Sequence, residues 1–224
     1  MSNLKKELLQ TSDGSFTIHL PEWNESYHSK HGAIQEAYHV FIQNGLDFFS
    51  DKDQVSILEI GFGTGLNAFI TLLESKNRNQ KIQYTGIEAF PVTEEIYEKL
   101  NYPELLNASE HKTLFMDLHR SEWNLKHEIT STFLLEKNQM KFEEIIFENK
   151  YDLIYFDAFG FRVQPELWSL DIFGRMYKSL KNKGILTTYA CRGVITKNLK
   201  ESGFEVKKVA GPIGKREMTL AFKP

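Results

Sequence analysis

Residues 57–69, ILEIGFGTGLNAF, constrain this chain more than any other stretch. An apolar run ends at Glu59-Ile60, and glycines follow at the alternate positions 61, 63 and 65. A buried strand that stops near a carboxylate and turns on glycines into a helix opens a parallel, doubly wound sheet. The glycine order departs from the dinucleotide fingerprint G-x-G-x-x-G, because Thr64-Gly65-Leu66 interrupts it. A Walker loop is excluded, since no Gly-Lys-Ser or Gly-Lys-Thr follows. Glu88, 25 residues beyond Gly63, closes a second apolar run at 82–87. A carboxylate at that strand end accepts both hydroxyls of a ribose. A glycine turn alone needs no ligand; joined to Glu88, it points to a nucleoside-type one.

The rest of the chain supports an α/β reading. Strands are expected at 55–60, 82–87, 132–136, 153–156, 185–189, 205–209 and 217–222, and helices at 66–73, from Pro91, at 142–147, 165–180 and 194–202. Short buried strands alternating with helices predict a mostly parallel sheet covered on both faces. The last two strands are joined by a Gly-Pro-rich turn without a helix, which makes them antiparallel. Residues 101–130 hold either a strand at 112–116 or only loops and helical turns. Before the core, 11–20 alternate after an Asp-Gly turn signal and read as a hairpin arm. Residues 31–49 carry apolar residues at helical spacing. The expected organisation is an N-terminal extension over 1–50 that packs on and lids a core over 51–224.

With 224 residues, 41% hydrophobic and 25% charged, the chain suits one well-buried domain. There is no run of 18 apolar residues, and MSNLKKELLQ lacks the apolar segment of a signal peptide. Neither a membrane span nor a leader is therefore expected. The single cysteine, Cys191, fits a reducing cytoplasm and leaves no thiolate cluster for zinc. Glu36 and His39 share a helix face but lack a third ligand, so no metal is expected. Net charge is −3, yet residues 175–224 carry twelve Lys or Arg against three Glu. That excess reads either as a solvated face or as a surface for an anionic partner.

Asp157 ends the apolar run at 153–156, where open α/β sheets place their crevice. It is the candidate chemical centre, with a helix-capping or loop-stabilising role as the alternative. Phe159 and Phe161 flank Gly160 just beyond it. They serve either to stack on a splayed base or to fill the core beneath the following helix.

Several separated motifs carry a family resemblance: Asp13 to Ser15; YHSKHGAIQEAYHVFIQNGL at 27–46; LEIGFGTGLNAF at 58–69; IEAFP at 87–91; YFDAFGFRVQPELWS at 155–169; and GKREM at 214–218. The chain resembles the methyltransferase domain of the bacterial enzymes that complete 5-methylaminomethyl-2-thiouridine at the tRNA wobble position. Many of those enzymes carry a fused flavin-dependent oxidase, for which this chain has no room, so it resembles a stand-alone form. The resemblance implies a class I S-adenosylmethionine-dependent, Rossmann-like fold with a mostly parallel seven-stranded sheet. It also implies a cytoplasmic enzyme whose cofactor is S-adenosyl-L-methionine and whose partner is the anticodon arm of tRNA.

By the same resemblance, Glu59, Gly61, Gly63 and Gly65 shape the cofactor wall, Glu88 holds the ribose, and Asn67 braces the loop or reaches the ligand. Tyr27, His28 and Ser29 close over the methionine end, although a plain surface-loop histidine is equally consistent for His28. The acidic residue that often holds the adenine amine is replaced by KNQMKF, which leaves Gln139, or Asp117 if the strand lies earlier. Arg162 suits a phosphate, while Lys215 and Arg216 suit the anticodon-stem backbone. The expected reaction is N-methylation of a 5-aminomethyluridine by way of Asp157. Alternatives are methylation of a small amine and a catalytically silent RNA-binding protein.

Overall fold

A computed structural model describes residues 4–224, so the first three residues of the expected extension lie outside the described residues. The chain begins with a small antiparallel sheet of β1 (Glu7–Gln10), β2 (Phe16–Leu20) and β3 (Glu25–Ser26). In the turn between β1 and β2, Asp13 accepts from the Thr11 hydroxyl at 2.7 Å and the Ser15 amide at 3.1 Å. Its other oxygen accepts from the amides of Ile34 and Gln35, which opens α1 (Ala33–Ala37). This helix passes into a wider π-type turn over Tyr38–Gln43. There the Thr187 hydroxyl donates to the carbonyl of Val40 at 2.8 Å.

The main sheet is entered at β4 (Gln54–Ile60) and continues through α2 (Leu66–Arg78) and β5 (Lys81–Glu88). Three helices follow: α3 (Glu94–Tyr97), α4 (Tyr102–Leu105) and α5 (Lys112–Arg120). Next come β6 (Lys126–Thr130), β7 (Phe133–Gln139) and β8 (Tyr151–Phe156). The chain finishes with α6 (Leu170–Ser179), β9 (Leu180–Thr188), α7 (Gly193–Glu201), β10 (Glu205–Ala210) and β11 (Glu217–Phe222).

The strands lie in the order β10-β11-β9-β8-β4-β5-β7-β6. The five from β9 to β7 are mutually parallel. β11 runs antiparallel between β9 and β10, as the turn without a helix implies. From β4 the chain builds outward through β5 to β7, then returns to build the other way from β8. The ends of β4 and β8 therefore splay apart and leave a crevice.

Every residue of β8 and all but the first of β4 are buried, because helices cover both faces. Side chains alternate between two cores. Ile57, Leu153 and Tyr155 join Phe69 and the extension's Val40, Phe41 and Leu46 on one face. Leu58, Ile154 and Phe156 meet Trp168 and Phe173 on the other.

Three elements differ from the sequence reading, and one that it left open is settled. The sheet has eight strands rather than seven, because 126–130 adds an antiparallel edge to β7. Of the alternatives left open for 101–130, the helical one holds at 112–116, where α5 buries Phe115 and Leu118 at helical spacing. The expected helix at 142–147 shrinks to one tight turn at Phe142–Glu144. The helix expected from Pro91 begins only at Glu94 and is broken into short pieces.

Candidate active site

The glycine loop is fastened to both neighbouring strands. Gly61 and Phe62 amides each donate to the carbonyl of Ile87 at 3.0 Å, and the Asp157 amide donates to Ile60 at 2.9 Å. Gly61 has φ +91°, and a Cβ there would stand 2.6 Å from the Asp157 carbonyl, so only glycine lets β4 turn so close to β8. Glu88, at the tip of β5, accepts from the Gly63 amide at 3.0 Å and the Phe90 amide at 2.8 Å. Burial raises its carboxyl, against those backbone hydrogen bonds. Beneath the loop, His119 Nε2 donates to the Thr64 carbonyl at 3.1 Å while its ring stacks on Tyr97. Burial pushes His119 down to about 3, so the ring is neutral at pH 7.

Asn67, in the first turn of α2, spends both amide hydrogens on carboxylates. Its Nδ2 lies 2.9 Å from Glu59 Oε1 and 2.9 Å from Asp157 Oδ2. One amide thus ties the end of β4 to the residue that follows β8. Burial pushes the fully enclosed Glu59 well above the usual carboxylate range, with Asn67 opposing and the charge of Asp157 reinforcing the rise. Burial, then the charge of Glu36, lifts Asp157 to about 7, while Asn67 and Lys215 oppose the rise. The pair therefore divides its roles: Glu59 is held towards its neutral form and Asp157 titrates near neutrality.

A cavity of about 390 Å³ opens above these groups, within the range of small-ligand sites. Tyr27, Trp23 and Phe159 wall it on one side, with the Phe159 ring edge-on to Tyr27 at 4.9 Å and to Trp23 at 5.9 Å. Burial and the charge of Glu88 push the Tyr27 hydroxyl up, so it stays protonated. His28 also lines the cavity, its Nδ1 3.0 Å from the Thr17 hydroxyl, and burial lowers it to about 4. Glycine cradle, acceptor carboxylates and aromatic walls together fit S-adenosyl-L-methionine. Backbone can approach its chain, Glu88 can accept ribose hydroxyls, and apolar surface can cover the base.

Of the residues expected from sequence, Tyr27, His28, Gly61, Gly63, Asn67, Glu88, Asp157 and Phe159 meet in the cavity lining. Glu59 lies behind Asn67, and Gly65 opens α2 beneath the loop. The others sit outside the lining. Ser29 donates its amide to Glu36 at 2.8 Å. Gln139 is exposed at the end of β7, its amide donating to Asn124. Phe161 packs with the core beside α6, with Arg192 5.8 Å above its ring. Arg162 donates to the carbonyls of Trp23 and Asn24 and pairs with Glu25 at 3.1 Å, which ties the loop after β8 to the extension. Lys215 pairs with Glu36, and Arg216 is exposed.

Sequence reasoning missed Trp23, Glu143, Gln164 and Tyr189, all in the lining. Glu143 follows the expected adenine-contacting position by a few residues, and this exposed carboxylate at the rim carried the only local signal.

Among the described residues, no helix is long and apolar enough to cross a membrane, and no cluster of three or more His, Cys, Asp or Glu could hold a metal. Residues 108–224 match the model of an S-adenosyl-L-methionine-dependent methyltransferase family. The chain is 29% identical, over 97% of its length, to the tRNA 5-methylaminomethyl-2-thiouridine biosynthesis bifunctional protein MnmC of Cupriavidus metallidurans. It is 30% identical, over 93% of its length, to the protein of the same name from Delftia acidovorans. It spans about a third of each of these relatives, 34% in both cases. The crystal structure of MNMC2 from Aquifex aeolicus superposes with a TM-score of 0.76 at 26% identity, over 98% of this chain and 70% of that one. Spermidine synthase of Thermotoga maritima shares the fold, with a TM-score of 0.58 at 13% identity over 98% of this chain and 74% of that one. On fold, cavity and family match together, the chain belongs to the S-adenosyl-L-methionine-dependent methyltransferases.

Proposed function

We propose that this methyltransferase N-methylates the 5-aminomethyl group of the wobble uridine in tRNA, giving 5-methylaminomethyluridine or its 2-thio form. The observation that carries the reading is the Asp157 carboxylate set beside the Phe159–Tyr27–Trp23 wall. An amine needs an acceptor to orient it, and a base extruded from an RNA loop needs an aromatic face. The names of the similar MnmC proteins and the basic balance of residues 175–224 support RNA as the partner.

S-adenosylmethionine, when bound, supplies an electrophilic methyl group on a sulfonium. Glu88 and the glycine-loop backbone would hold its nucleoside end, and Glu143 at the rim would offer an acceptor to an adenine amine. Asp157 accepts a hydrogen bond from the substrate amine and aims its lone pair, so alignment supplies much of the rate. An alkylammonium near pKa 10 must first lose a proton. A carboxylate raised to about 7 is a better proton acceptor than an ordinary one, which makes base duty its second role. Trp23, Tyr27 and His28, from the segment before β4, cover this side of the site.

The lining is acidic, with Glu88, Glu143, Asp157 and Glu166, and that suits a cationic amine of any size. The deciding experiment is methyl transfer from labelled S-adenosylmethionine to tRNA bearing 5-aminomethyluridine, with spermidine as a competing acceptor and Asp157→Ala as control. Nucleoside mass spectrometry should show one added methyl on that uridine, lost in the control. Transfer to spermidine alone would replace the RNA reading with a small-amine one.

A further inference from the structure

Lys215 and Glu36 are 179 positions apart in the chain and form an ion pair beside the cavity. Each partner is held by other groups. Glu36 is buried on α1 and accepts from the Ser29 amide at 2.8 Å through its second oxygen. Lys215 lies in the turn between β10 and β11, with its Nζ 4.6 Å from the centre of the Tyr189 ring. Tyr189 lines the cavity and donates its hydroxyl to the Ala158 carbonyl at 2.8 Å, next to Asp157. Gly214 brings the turn so near the extension that a Cβ there would strike the His31 ring. A second contact, His39 Nε2 to the Ala210 carbonyl at 2.9 Å, closes the same seam.

A lysine with its charge matched by a buried carboxylate and its ammonium over an aromatic ring is poorly placed to neutralise a phosphate. We infer that Lys215 is a positioning residue of the active site, which with Glu36 and Tyr189 sets the place and charge state of Asp157, and is not a nucleic-acid backbone contact. The inference rests on the proposed function only in taking the cavity beside Asp157 as the active site. Opposite effects are expected from the two partners, because Glu36 raises the Asp157 carboxyl and Lys215 lowers it. The other charged or titratable groups near Asp157 are Glu59 across Asn67, Tyr84 beside Glu59, Tyr189 just after β9, and Glu25 beyond Tyr189. His28 and Asp13 lie further back in the extension.

The test titrates the Asp157 carboxyl by carbon NMR in the purified protein, with Asp157→Asn assigning the signal. Lys215→Met should raise its apparent pKa by about half a pH unit or more and Glu36→Gln should lower it. Lys215→Arg should leave it near the wild-type value, as should the double variant that neutralises both partners. If Lys215→Met does not fold with Glu36 left unpaired, the Glu36→Gln and double variants decide. An Asp157 titration indifferent to all of these changes would overturn the inference. So would a fall of about one in the log–log salt slope for binding an anticodon stem–loop with 5-aminomethyluridine in Lys215→Met, since that marks a lost phosphate contact. Failure of the wild type to methylate or bind that RNA would count against the proposed function alone, because the titration needs no RNA.

Discussion

Asp157 carries a conflict between stability and chemistry. Its carboxyl binds a proton in the fold at pH values where the unfolded chain has already shed it. Stability is therefore lost as pH rises from its ordinary value of 3.8 towards about 7. Asp157→Asn escapes that loss. The variant should melt at a higher temperature than the wild type at pH 8, and the difference should vanish near pH 3 to 4. It should also lower kcat by roughly 10²-fold and abolish the kinetic ionisation near pH 7. Melting curves at both pH values, with a kcat profile, check the two halves together. At this scale the residues legible in the sequence are those tied to local backbone chemistry. Gly61, Gly63, Glu88 and Asp157 all mark strand ends, and they meet in the cavity. Tyr189, Trp23 and Glu143 reach it from β9, the extension and the loop after β7, and no local pattern encodes such long-range meetings.

Short elements in the extension depend on side chains outside themselves. α1 has five residues, too few to hold its own first turn, and Asp13 caps it from the β1–β2 turn. Removing that carboxylate in Asp13→Ala should cost about 1 kcal/mol in urea unfolding. Hydrogen exchange should speed up at the Ile34 and Gln35 amides and leave β4 and β8 unaffected. The elements read correctly from sequence were those buried on both faces or strongly periodic, such as β4, β8 and α7. The misread ones lacked either signal. β6 is an exposed edge strand with Lys126 and Glu128 pointing to solvent, so its alternation carries little apolar contrast. α5, left open in the sequence, holds LFM at 114–116, a run as apolar as a strand, and only the packing of Phe115 and Leu118 settles it as a helix.

Across the molecule, the end of the sheet opposite the cavity has its own electrostatic centre. Asp152, the second residue of β8, accepts from the Ser56 amide at 2.9 Å and pairs with both Lys52 and Lys181 at 2.9 Å. Burial pushes its carboxyl up, but the hydrogen bonds from Ser56 and the lysines outweigh it and bring it down to about 2. A depressed carboxyl stabilises the fold above its ordinary value of 3.8, and the contribution disappears as pH falls through about 2. It should be worth on the order of 2 kcal/mol at neutral pH. Asp152→Asn should remove the corresponding part of the acid-unfolding slope between pH 4 and 2, as followed by circular dichroism.

The same whole-molecule view gives the strand order a meaning in time. β11 follows both β9 and β10 in the chain, yet it lies between them in the sheet. Both neighbours leave the ribosome before the strand that joins them, so each waits with an open edge until residues 217–222 emerge. Lys207 and Lys208 on β10 discourage a wrong partner during that wait. The wall of the cavity built on Tyr189 follows β9 directly, so that side of the site waits for β11 to pair with β9.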